Sequence, residues 1–114
     1  MNDLQYTHEK FWSGSKQLIG DGSLADRLTS AVINHVCHAF DSHEFLPANL
    51  RNRITDLRKA VHEVADDEHG SVAASVAAMT KDEVEHWAAE IFNISVHVAE
   101  LVGHDRCAKG LPAN

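Results

Sequence analysis

TKDEVEHWAAEIFNISVHVAELVG, residues 80–103, decides the fold. Thr80 and Glu83 fit the reciprocal capping box, in which each side chain satisfies a backbone N–H that the first helical turn leaves without a partner. Behind them Val84, Trp87, Ala88, Ile91, Ile94, Ser95, Val98, Leu101 and Val102 recur at steps of three and four, the spacing of one helix face. Gly103 supplies a C-terminal stop. A long amphipathic helix with both ends marked needs other helices to cover its apolar face, so the class is all-α.

Working outward, three more helical segments can be placed. Ser23 is an N-cap after the Gly20-Asp21-Gly22 turn, and the pattern predicts one helix from there to about Phe40. Leu24, Leu28, Ala31, Val32, His35, Ala39 and Phe40 make one stripe, while Ile33, Val36 and Cys37 lie off it, so apolar groups cover more than half the circumference. Pro47 suits the first turn of the next helix, expected to about Asp66, with Leu50, Ile54, Leu57, Val61 and Val64 as a coiled-coil-like seam and Lys59 paired to Glu63 one turn on. The alanine-rich stretch from Val72 to Met79 reads as a short extra helical turn.

In residues 1–20, Tyr6, Phe11, Trp12, Leu18 and Ile19 need burial, but Gly14 between Ser13 and Ser15 interrupts the helical pattern. That segment is expected to be an N-terminal arm, helical over about Thr7–Trp12. Residues 21–104 are expected to form an up-and-down bundle of about four helices, with the 50–64 and 84–102 seams antiparallel across helix 23–40, and residues 105–114 a flexible tail.

Composition bounds the function. At 114 residues the chain is one domain able to build a core without a metal or disulfide staple. Its apolar runs fall far short of a membrane span, Asp3 sits where a signal peptide carries positive charge, and two cysteines are too few for a disulfide framework, which together point to the cytoplasm. The net charge of -7 is uneven. Residues 61–105 hold ten acidic side chains against Lys81 alone, whereas residues 46–60 hold Arg51, Arg53, Arg58 and Lys59 against Asp56. Four cations beside so acidic a segment, without interleaved aromatics, argue against nucleic acid.

No serine or cysteine stands in a nucleophile motif and no glycine-rich loop is present, so an enzymatic role finds no support in the motifs. The leading reading is a small acidic interaction protein, an accessory, regulatory or inhibitory subunit that contacts another protein through Asp66, Asp67, Glu68, Asp82, Glu83, Glu85 and Glu90. The alternative is a bundle holding a divalent transition metal, with His62, Asp66, His86, Glu90 and His97 drawn from the nine histidines and their neighbouring carboxylates. The surplus apolar surface predicts a two-fold homodimer with Phe11, Trp12, Ile33, Val36 and Cys37 in its interface.

Overall fold

The computed structural model describes residues 3–41, 44–66, 68 and 70–108, with side chains described from residue 4 to residue 104. Among the described residues the chain forms α1 (Asp3–Gln17), α2 (Leu24–Asn34), a 3-10 turn (Val36–Ala39), α3 (Ala48–Ala60), α4 (Ser71–Ala77) and α5 (Lys81–Ala108), with no strand. The protein is an all-helical bundle. The α5 helix spans about 42 Å at 1.5 Å per residue and so accounts for most of the 47 Å long axis.

The capping box forms as its sequence requires. The Thr80 N–H donates to Glu83 Oε1 at 2.9 Å, and the Glu83 N–H donates to Thr80 Oγ1 at 3.2 Å. Val84, Ala88, Ile91, Ile94, Ser95 and Val98 are buried along the expected face. Gly103 does not end the helix, which continues to Ala108. Positive φ occurs only at Gly22 and Gly70 among the described glycines, so Gly103 keeps helical geometry and terminates nothing.

The N-terminal segment departs most from its reading. Residues 3–17 form an unbroken helix that packs along α5 and against α2, with Phe11 and Thr7 fully buried. Gly14 does not break it, because a tertiary contact makes glycine necessary there: a Cβ would stand 2.6 Å from Val36 Cγ2. Beside it, Ser15 donates its hydroxyl to the Phe11 carbonyl at 2.9 Å, which satisfies a buried polar group within the helix. Arg27 of α2 donates to the Leu18 carbonyl at 2.6 Å, satisfying a group that the end of α1 leaves open.

The expected single helix from Ser23 to Phe40 is divided. Ser23 caps it through the Asp26 N–H, but the backbone turns at His35 (φ -134°, ψ -66°) into the 3-10 turn. That turn changes the direction of the last side chains and puts Val36, Ala39 and Phe40 in the core. The excess apolar circumference is therefore largely absorbed inside the chain. His35, placed on the apolar stripe by its spacing, is half-buried with Nε2 3.0 Å from Gln17 Oε1.

Helix α3 is shorter than its seam implied. Pro47 is its N-cap rather than its first helical residue, and it stops at Ala60. Leu50, Ile54, Leu57 and Val61 are buried, but Val64 is exposed. The pairing of Lys59 with Glu63 does not form, since Glu63 lies beyond the helix end and the i,i+4 geometry is lost. Ser75 ties the following segment to α4: its hydroxyl receives the Val64 N–H at 2.9 Å and lies 3.4 Å from the Val64 carbonyl.

Candidate functional site

The expected acidic contact set divides into three groups. Glu68, Asp82, Glu83 and Glu85 are exposed. Asp66 is half-buried and receives the Glu68 N–H at 2.9 Å, while Asp67 lies outside the described residues. Glu90 is no free contact, because Arg53 of α3 clamps it across the helix pair. Arg53 Nη2 donates to Oε1 at 2.7 Å and Nε donates to Oε2 at 3.0 Å, a bidentate arrangement with side chains 33% and 17% exposed. The guanidinium bonds hold the Glu90 carboxyl below the usual carboxylate range against the opposing effect of burial.

A second cation of the basic segment is paired at the surface. Arg58 donates to Asp41 at 2.8 Å and lies over the Phe40 ring. Two of the four cations of residues 46–60 are thus paired within the chain, while the exposed carboxylates at the start of α5 face only Lys81, whose contact with Glu85 is a loose 3.9 Å between two exposed groups. These pairs remove equal numbers of cations and anions, so the acidic excess remains, and at the start of α5 it is carried by exposed carboxylates.

Between the end of α3, α4 and the first turns of α5 lies a cavity of about 230 Å³, lined by Ala60, Glu63, Val64, Met79, Glu83 and Trp87 among others. The Thr80 N–H and then its hydroxyl hold the Glu83 carboxyl below its ordinary range, so it is anionic throughout the neutral region. A lining that combines Met79 and Trp87 with the carboxylates of Glu63 and Glu83 suits a long side chain with a cationic head. Helical spacing hides this cavity, because it puts Glu63 on α3, which ends at Ala60, and because the Ser75 bonds beside it join residues eleven positions apart.

The expected metal ligands are not brought together. Among the described residues, no three of His, Cys, Asp and Glu converge on one point. His62 Nδ1 donates to the Arg58 carbonyl at 2.9 Å, its ring edge-on to Phe40. The His86 ring packs edge-on to Trp87 at 4.7 Å, and His86 and His97 are about 16 Å apart along α5 at the helical rise. Glu90 is held by Arg53, so among the described residues these five side chains do not form one coordination set.

Compared with known proteins, the chain matches no family model, no curated sequence and no solved structure. Its own geometry must carry the functional reading.

The expected dimer residues are also dispersed. Phe11 and Val36 are fully buried in the chain's own core and are unavailable to a partner. Cys37 is half-buried, a free thiol that donates to the Ile33 carbonyl, with burial pushing its pKa up. Trp12 and Ile33 remain 48% and 46% exposed. Trp12 lies beside α5, whereas α2 meets α1 where Gln17 bonds His35, about 140° further round the α1 axis. Among the described residues no helix is long and apolar enough to cross a membrane.

Proposed function

We propose that the chain is a small cytoplasmic interaction protein, an accessory, regulatory or inhibitory subunit that acts as a homodimer and binds a basic segment of another protein. The observation that carries this reading is the unequal fate of the charges. Arg53 and Arg58 are paired with Glu90 and Asp41, while Glu63, Glu68, Asp82, Glu83 and Glu85 are exposed and, apart from the loose Lys81–Glu85 contact, carry no ion pair among the described residues. Such an acidic surface attracts a cationic partner over roughly a Debye length, about 8 Å at physiological salt. The cavity between Glu63 and Glu83 supplies an anchor for one lysine or arginine of that partner.

Calorimetric titration with an arginine-rich peptide tests this. Binding is expected to weaken as salt rises. Glu63→Gln with Glu83→Gln should weaken it about tenfold, roughly 1.4 kcal/mol, and more than Asp82→Asn with Glu85→Gln, which removes the same charge. No heat at low salt, or equal loss in both double variants, would sink the anchored reading. Glutamine at position 83 can still serve the capping box, so the fold is retained.

A further inference from the structure

The groove between α1 and α5 is open, apolar and has a hydroxyl stranded at its floor. On one side His8 and Trp12 stack at 6.4 Å with their rings 17° apart; on the other stand Val96, Ala99 and Glu100. Ser95 lines it too, and its buried hydroxyl has no hydrogen-bond partner. Phe92, one turn before Val96, extends the same flank of α5. Phe92 and Val96 are 53% and 41% exposed, so with Trp12 they make a three-residue apolar patch across two helices.

The charges around this patch indicate its occupant. Glu9 and Lys16 are exposed, form no ion pair among the described residues, and lie seven positions apart on α1. Seven residues bring them back to nearly the same side of the helix, within about 60° of Trp12, which stands midway between them. Along α1 the face therefore reads acid, apolar, base. A two-fold axis near Trp12 reverses that order and sets each acid on a base, which is the self-complementarity an isologous interface requires. His8 and Glu100 line the same groove and a Cβ on Gly14 would approach Ile91, so α1 and α5 run antiparallel, with Trp12 level with Ser95 and Val96 and with Phe92 about one turn further along, toward the Lys16 end of α1.

We propose that Trp12 of α1 with Phe92 and Val96 of α5 form the interface of a two-fold homodimer, in which Glu9 of each protomer pairs with Lys16 of the partner subunit. The inference rests on the homodimer part of the functional reading and is independent of the acidic face.

Sedimentation equilibrium of the full chain at low salt is the test. A dimer is expected at tens of micromolar. Trp12→Ala should raise its dissociation constant at least about tenfold, as for an interface anchor. Glu9→Lys and Lys16→Glu should each weaken it about fivefold, and the two together should restore it to within about twofold, because the swapped charges meet again across the axis. Ile33→Glu, on α2, should leave it unchanged. Circular dichroism melting checks that each variant is folded. A wild-type monomer at about 200 μM, a dimer indifferent to Trp12→Ala, a charge swap that fails to restore, or loss of the dimer with Ile33→Glu would each overturn the proposal. The arginine-rich peptide is titrated into the Trp12→Ala variant as well, so that failure of the interface and failure of the acidic face register separately.

Discussion

Arg53 and Glu90, 37 positions apart, form two parallel hydrogen bonds that fasten α3 to α5. This pair consumes one cation and one anion that the sequence had placed in opposing charge blocks. Arg53→Ala would leave a half-buried carboxylate without its partner and is expected to cost about 1–2 kcal/mol, less than for a fully buried pair because water reaches both groups. Urea unfolding measures it. Replacing both residues by methionine should cost less than Arg53→Ala alone.

The same pair sets a pH dependence. Glu90 has a lowered pKa in the folded chain, from an ordinary value of 4.5, so the unfolded state binds the proton more readily. Its contribution is fully present above the ordinary value and disappears as pH falls through the lower folded value. Glu90→Gln should therefore have a flatter stability profile than the wild type below about pH 5, and an identical profile in that window would show that the clamp does not persist in solution.

Two glycines should respond in opposite directions. Gly14→Ala forces a Cβ against Val36 and should destabilise by about 1–3 kcal/mol, despite alanine's higher helix propensity. The loss should shrink in a Val36→Ala background. Gly103→Ala meets open space within a helix and should stabilise by up to about 1 kcal/mol. Thermal melts of the two single variants separate these cases.

Thr80→Ala removes the hydroxyl that receives the Glu83 N–H and should cost about 1 kcal/mol, seen as a lower melting temperature with helix content retained. A melting temperature equal to that of the wild type would mean that water caps α5 equally well.

Ser95→Ala should be neutral or stabilising by up to about 1 kcal/mol, since it deletes a buried hydroxyl that has no partner within the chain. A loss above 1 kcal/mol in denaturant unfolding would indicate an unseen bond to that hydroxyl.

The sequence by itself determined what depends on neighbours three and four residues away. The Thr80–Glu83 box, the Ser23 cap and the buried face of α5 follow from local hydrogen bonding and helical period, and all three are formed. Tertiary structure alone decided whatever depends on distant partners. Gly14 looked like a break because helix propensity penalises glycine, but Val36 demands a residue without a Cβ there. The off-stripe Val36 looked like subunit surface until the backbone turned at His35 and buried it. The acidic and basic blocks were visible in the chain, yet which carboxylate would be neutralised depended on α3 lying beside α5, because ion pairing falls off within a few ångströms and sequence distance says nothing of that separation.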